Sequence, residues 1–421
     1  MGPRIIAPEV KPDTLLAWVA ALFLASCMFG GTVALRLLLL GTGLVLAAFV
    51  AWRERRKLGL LPPVWLPFLL WGAWALLSVA WSIEPERTHK EWRNEVFYTG
   101  AALWICYLGA QTRQAAWIFG VIGASAALTA CGFAIYEFSR SLAAYNVGRH
   151  GGPGDHSSAL LLLMPCVAMT AVYASRARWP LRWQAAIGAL AVILLASAYT
   201  TLNRTLWLAF AVQFFLAGAL LLWRTPVALR HPRARAIATG LTLAAIVGCS
   251  AVLVSIQAER QSVGGQSLQN DHRFALWPEI LRYIEARPLT GYGFGRGLLR
   301  DELQSQFKSV DANLWHAHNL FLEALIQTGL PGLVLMIALL GAVLREGWRA
   351  ARQADETRAA CGIALITVLA GMVMRNMTDT LFIRQNSLLF WAACGVLLAW
   401  ASAGPSTPVP RRVGERAPPA R

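Results

Sequence analysis

The chain has 421 residues, of which 57% are hydrophobic and only 14% charged, with a formal net charge of +16. A soluble domain of this size carries roughly a quarter charged residues, so these proportions exclude an ordinary soluble fold. The apolar residues run in blocks long enough to cross about 30 Å of hydrocarbon as helix, which predicts an all-α, polytopic membrane protein.

Twelve candidate spans follow one another between charged or turn-rich breaks: 14–30, 32–52, 63–82, 96–111, 115–137, 157–175, 184–199, 205–223, 237–256, 319–344, 359–377 and 386–402. They form a single transmembrane domain over 1–402, including one large extracytoplasmic loop at 257–317 between spans nine and ten. The tail 403–421, "AGPSTPVPRRVGERAPPAR" from Ala403, is rich in Pro and Arg and is expected to be disordered and cytoplasmic.

Charge sets the orientation. With the N-terminus in the cytoplasm, 22 of the 38 Lys and Arg fall inside with seven acidic residues. The outside then holds 15 basic and 15 acidic residues, and Arg36 lies within span two. The basic excess is therefore a topology signal and no nucleic-acid footprint; both termini are expected in the cytoplasm. All seven cysteines (27, 106, 131, 166, 249, 361 and 394) fall in spans, which excludes a loop zinc site or an extracytoplasmic disulfide framework. "LASC", ending at Cys27, has the look of a lipoprotein cleavage box, but the residues before it carry little positive charge.

Two outer loops are sizeable, 138–156 and 257–317. In the second, Asp271 is placed to cap a helix bearing Phe274, Trp277, Ile280, Leu281 and Ile284 on one face. Pro288 and the glycines of "GYGFG" end it. The pattern predicts an amphipathic helix at the outer interface, anchored by Trp277 and Tyr283 and able to roof a cavity.

Charge at membrane depth costs at least a few kcal/mol, so each such residue is a functional candidate. Arg204 sits in the short outer turn "TLNRTLW", Arg273 begins the loop helix, and His318 opens span ten. Guanidinium groups bind phosphate through paired hydrogen bonds, and histidine accepts a proton near neutral pH. Together they suggest chemistry on an anionic lipid phosphate. The competing explanation is interfacial snorkelling of the arginines and a helix-start hydrogen bond for the histidine.

Several segments resemble the bacterial O-antigen ligases and polymerases. "HAHNLFLEALIQTGLPGL" is similar to their His-Asn motif and the helix after it. "TLNRTLWLAF" resembles their Ser-Arg-x-x-W-L-A segment, with Asn203 in place of Ser. "HRFALWPEILRYIEARPLTGYGFG" resembles Arg-x-x-x-W…P-L-x-G-x-G, and "VAWSIEPERT" resembles W-S-x-D-P with Glu84 in place of Asp. "GGPGDHSSAL" is similar to a family loop, with Ser157 in place of Asn. The resemblance implies a C-type membrane glycosyltransferase of the bacterial inner membrane. It implies a periplasmic active site and an undecaprenyl-pyrophosphate-linked glycan as donor. In that picture Arg204 and Arg273 bind the pyrophosphate, and His318 takes the proton of the acceptor hydroxyl. The reaction inverts the anomeric centre without metal or cofactor.

Other residues carry weaker expectations. His316 lines the site or faces water; Arg36 and Arg140 are candidate phosphate or sugar contacts. Arg375 and Asp379 either close the cavity or pair with one another, and Glu84 with Glu86 is a poor metal pair without histidine support. The loop before His318 and the His-x-His-Asn form favour a ligase that moves glycan onto lipid A-core. The alternatives are an O-antigen polymerase and a protein O-oligosaccharyltransferase. A transporter or flippase predicts acidic or broken-helix residues at mid-span, where this chain has mostly Ala, Leu and Gly.

Overall fold

Each apolar block condenses into helix because backbone in hydrocarbon must pair its own N–H and C=O groups, and an α-helix does this within one segment. The computed structural model describes residues 11–54, 59–112, 114–140, 152–224, 247–248, 250–256, 273–307, 315–378 and 382–402. Among these no strand occurs. In chain order the helices begin with α1 (Pro12–Ser26), α2 (Val33–Glu54), α3 (Trp65–Leu77), α4 (Pro85–Trp92), α5 (Tyr98–Gly109), α6 (Ala115–Arg140) and α7 (Gly152–Arg176). They continue with α8 (Leu181–Thr200), α9 (Arg204–Arg224), α10 (Arg273–Ala286), α11 (Arg300–Phe307), α12 (Leu320–Ala351), α13 (Glu356–Asn376) and α14 (Arg384–Ser402). A 3-10 turn, Ser78–Trp81, follows α3, and a π-helical segment, Arg93–Phe97, joins α4 to α5.

Among the described residues seven helices, α2, α6, α7, α8, α9, α12 and α13, are long and apolar enough to cross a membrane. The chain is a multi-pass helical membrane protein, as its composition predicts. Helix occupies each of the twelve expected spans, although in the ninth only 247–248 and 250–256 are described. The loop expected at 138–156 is shorter than its composition suggests, because α6 runs to Arg140 and α7 starts at Gly152. Residues 141–151, much of the 257–317 loop, Cys249 and the tail 403–421 lie outside the described residues.

The helices approach closely where side chains are small, since association in lipid depends on packing rather than on expulsion of water. α13 is surrounded by α7, α9, α12 and α14, and α5 lies along α14. Gly395 of α14 faces the Leu103 carbonyl of α5, and Gly362 of α13 faces the Gly347 carbonyl of α12. Aromatic rings fill the centre. Phe68 and Phe390 each meet Trp391 edge-on, with ring centroids 5.1 Å apart. Large apolar side chains such as Leu38, Val45, Leu66, Val192 and Val254 stay exposed, as a lipid-facing belt requires.

α12 is broken where its sequence reads "TGLPG". Gly329 has φ +66 and ψ −173, and Pro331 follows in the next turn. Residues 287–297 pass over this break as a strap. Tyr292 N–H donates to the Ile326 carbonyl (3.0 Å), Gly293 N–H to that of Gln327 (2.9 Å), and Leu330 N–H to that of Pro288 (2.8 Å). The strap is held from its other side by α3 and the turn after it. Ile83 N–H donates to the Tyr292 carbonyl (3.1 Å), Trp81 Nε1 to that of Thr290 (2.8 Å), and Phe294 N–H to Ser78 Oγ (2.9 Å).

The loop helix α10 forms as its periodicity predicts, with one correction to its face. Leu276, Ile280 and Ile284 are buried, whereas Leu281 is 46% exposed. A helix of period 3.6 places 276, 280 and 284 in line, and Leu281 falls on the outer side. Trp277 and Tyr283, both half-buried, also make contacts within the protein. Trp277 Nε1 donates to the Ala317 carbonyl (3.0 Å), and Tyr283 meets the Tyr292 ring edge-on. Asp271, the expected cap, lies outside the described residues.

A side chain at 329 would be forced into left-handed backbone and into the Leu289 carbonyl. Gly329→Ala is therefore expected to destabilise the protein by at least about 1–2 kcal/mol, the cost of left-handed backbone alone. A lowered thermal unfolding midpoint in detergent checks it.

Candidate functional site

The segment 315–319 is where the strap, α10 and α12 meet. Asn319 has extended backbone and caps α12: its Oδ1 accepts from Phe321 N–H (2.9 Å) and Leu322 N–H (3.1 Å). Its Nδ2 donates to the Met377 carbonyl (2.9 Å), which ties the start of α12 to the end of α13. The residue before it, His318, is only 8% exposed and has φ +49, a left-handed conformation that a histidine adopts only where neighbours enforce it. Those neighbours are fixed. Ala317 N–H donates to Glu323 Oε2 (2.9 Å), and the Ala317 carbonyl accepts from Trp277.

His316 is buried beside His318 rather than facing water. The two imidazoles meet edge-on with centroids 3.6 Å apart, and Trp315 stacks on the far side of His316 at 4.7 Å. His316 Nε2 is hydrogen-bonded to Arg296. A guanidinium only donates, so His316 Nε2 is the acceptor in this contact. The guanidiniums of Arg296 and Arg300 both lie over the Trp315 ring, at 4.7 and 4.8 Å. Behind the loop lies a cavity of about 20 Å³, enough for one water, bordered by His316, Glu323 and Gln327. Outside the spans, burial pushes the Tyr283 and Tyr292 hydroxyls above their usual range, so both stay neutral beside this loop.

Arg204 opens α9 on a separate polar node at the same end of the bundle. Asn203 Oδ1 caps α9, accepting from Thr205 N–H (3.1 Å), Leu206 N–H (3.2 Å) and Thr205 Oγ1 (2.8 Å). Arg375, only 1% exposed, holds this cap. Its Nη1 donates to Asn203 Oδ1 (2.8 Å) and Thr205 Oγ1 (2.6 Å), and its Nη2 donates to Ser157 Oγ (2.7 Å). Two of the three positions where this chain departs from the motifs it resembles, Asn203 and Ser157, thus share one guanidinium. Arg375 and Met377 end α13, so the Arg204 cap and the His318–Asn319 corner are held by the same helix terminus.

The remaining expected residues divide. Arg273 begins α10 one turn before Trp277, whose indole touches the histidine loop; its side chain lies outside the described residues. Arg36 is buried, near enough to Asp155 to feel its charge. Arg140 donates to Tyr136 on its own helix, and Glu84 pairs with Arg87 at 3.6 Å. Asp379 lies outside the described residues; Arg375 has the partners named above. Sequence reasoning passed over Glu323, Gln327 and Arg296. The signal for the first was present: a carboxylate inside an apolar span is costly, and here it stands one helical turn past the His-Asn pair with Gln327 at i+4.

Residues 189–337, about a third of the chain, match a family described as O-antigen ligase. The matched segment holds Arg204, Arg273 and His318, so the resemblance carried by the motifs is borne out over that stretch. The chain is also 30% identical over 91 residues to the ComP-specific O-oligosaccharyltransferase of Acinetobacter baylyi. That similarity covers 21% of this chain and 16% of the relative's length.

Removing the buried guanidinium would leave Asn203, Thr205 and Ser157 without their common donor. Hydrogen bonds to charged groups contribute about 1.5–3 kcal/mol, so Arg375→Met is expected to lower stability by roughly 2–3 kcal/mol. Asn319→Ala removes a cap and costs about 1 kcal/mol. Thermal unfolding of both variants beside the parent checks the order.

Proposed function

We propose that the protein is a membrane glycosyltransferase that moves a glycan from undecaprenyl pyrophosphate onto a sugar of lipid A-core. The observation that carries this reading is the joint placement of Arg204 and His318. Both lie in the segment similar to the O-antigen ligases, and their chain neighbours Asn203 and Asn319 are both tied to the end of α13. In this reading the acceptor hydroxyl gives its proton to the His318 imidazole as its oxygen attacks the anomeric carbon from the face opposite the leaving group. The carbon–oxygen bond to pyrophosphate breaks, the electron pair leaves with the phosphate, and the anomeric centre inverts. Arg204 and Arg273 meet the charge that develops on the leaving pyrophosphate, which suits planar guanidinium donors.

The site is assigned to the periplasmic face of the bacterial inner membrane, in keeping with the charge asymmetry of the loops. No metal or cofactor has a part in this mechanism. A second acceptor class has one observation in its favour: the similar Acinetobacter protein is an O-oligosaccharyltransferase, which points to a protein acceptor.

The test is glycan transfer from a lipid-linked donor by the purified protein, with lipid A-core, a second lipid-linked repeat or a protein offered as acceptor. Transfer to lipid A-core alone supports the ligase; transfer only to another acceptor replaces it. His318→Ala is expected to lower kcat by about 100- to 10,000-fold, the usual contribution of a general base. Arg204→Ala and Arg273→Ala are expected to lower kcat/KM by roughly 100-fold or more each. Full activity in the His318 variant sinks the base assignment, and loss of activity on chelation, rescued by a divalent ion, sinks the metal-free mechanism.

A further inference from the structure

Glu323 is a carboxylate buried in an apolar helix, a placement that persists only where both oxygens find donors. Its Oε2 accepts from Ala317 N–H (2.9 Å), and its Oε1 accepts from Gln327 Nε2 (2.8 Å). A carboxylate only accepts, so the Gln327 amide must turn its nitrogen towards Glu323 and its oxygen away. That oxygen accepts Gly295 N–H of the strap (3.1 Å). The result is one continuous chain of hydrogen bonds from the strap, through Gln327, to the amide just before His318, with Glu323 accepting from both sides.

This chain acts on the segment that carries His318. His318 occupies left-handed backbone, which costs about 1–3 kcal/mol and requires enforcement from both sides. Asn319 is locked after it by the α12 cap and Met377, and Ala317 is locked before it by Glu323 and Trp277. We propose that Glu323 and Gln327 are positioning residues for His318, joining the seating of the 287–297 strap to the orientation of the imidazole. The proposal rests on the reading of His318 as the base. Its alternative is that the negative charge of Glu323 acts directly on the histidine pair.

An exchange of the two side chains separates geometry from charge. In the double variant E323Q/Q327E, the carboxamide oxygen at 323 accepts Ala317 N–H and its NH2 donates to the carboxylate at 327. The second oxygen of that carboxylate accepts Gly295 N–H. Every bond is remade while the charge moves one turn along the helix. In E323Q alone, donor faces donor at Gln327, or Gln327 flips and Gly295 N–H loses its acceptor. In Q327E alone, two carboxylates face each other.

The experiment uses the full-length protein and two readouts. One is glycan transfer from an undecaprenyl-pyrophosphate-linked donor to lipid A-core; the other is hydrogen exchange at the Ala317 amide. Each single variant is expected to lose roughly 10- to 100-fold in kcat with little change in KM, the penalty for a reacting group displaced by about 1 Å. Ala317 exchange should accelerate in both, and the double exchange should restore both readouts to within a few-fold. A double variant as slow as the singles overturns the proposal, and so does unchanged Ala317 exchange in the singles. If E323Q fails to fold, Glu323→Asp keeps the charge but shortens the reach by one methylene. It is expected to show the same two losses, and parental values in both readouts overturn the proposal. Wild-type protein that transfers glycan to no acceptor overturns the transferase reading instead, while the exchange readout still decides whether the relay holds Ala317.

Discussion

The backbone contact between the strap and the broken start of α12 is the constraint on which the rest of the site depends. Helix cannot continue through Gly329, because its φ of +66 turns the chain and frees carbonyls that would otherwise be used within the helix. Ile326 and Gln327 give those carbonyls to Tyr292 and Gly293 of the strap, and Leu330 returns a bond to Pro288. A glycine is required at 329 because any Cβ would collide with the Leu289 carbonyl. The indoles of Trp74 and Trp81 close the same junction, donating to the carbonyls of Thr328 and Thr290. With that junction made, the Glu323–Gln327 face of α12 is aimed at the histidine loop and at Gly295.

Polar groups at this end of the bundle are buried, and a buried polar network stabilises one arrangement only when its members are paired. Arg375 illustrates the consequence. Its guanidinium spans three neutral oxygens, from Ser157 of α7 and from Asn203 and Thr205 at the start of α9. Asn203 and Ser157 are unusual against the family pattern, yet both present an oxygen to the same guanidinium. Fixing Asn203 fixes the first turn of α9, and with it the start point of the Arg204 side chain. The opposite end of the bundle is held by a simpler device: Arg176 and Arg224 converge on Glu356, in an exposed setting where such pairs contribute little.

Much of the fold was legible because hydrophobic length and charge asymmetry are local properties of the chain. The apolar blocks marked the helices, the glycines of "GYGFG" marked irregular backbone, and a histidine followed by asparagine marked a helix start. Residues whose role depends on a distant partner were not legible. Leu281 was assigned to the buried face of α10, but the face is chosen by what packs on it, here Ala317 and Ile326 of other segments. His316 reads from sequence as lining the site or facing water, because nothing nearby in the chain announces Arg296, which reaches it from the strap.

By itself, then, the sequence determined the helical membrane class, the order of its helices and the identity of the basic and titratable residues at their ends. Backbone hydrogen bonding in hydrocarbon and the spacing of apolar residues suffice for that. Only the tertiary structure decided that the strap crosses a broken helix, that Arg375 serves the cap before Arg204, and that a buried glutamate fixes the amide before His318. The strap and Arg375 contacts join residues 32 to 218 positions apart in the chain, and the Glu323 contact is set in place by that strap; such contacts arise from chain crossings that no local periodicity encodes.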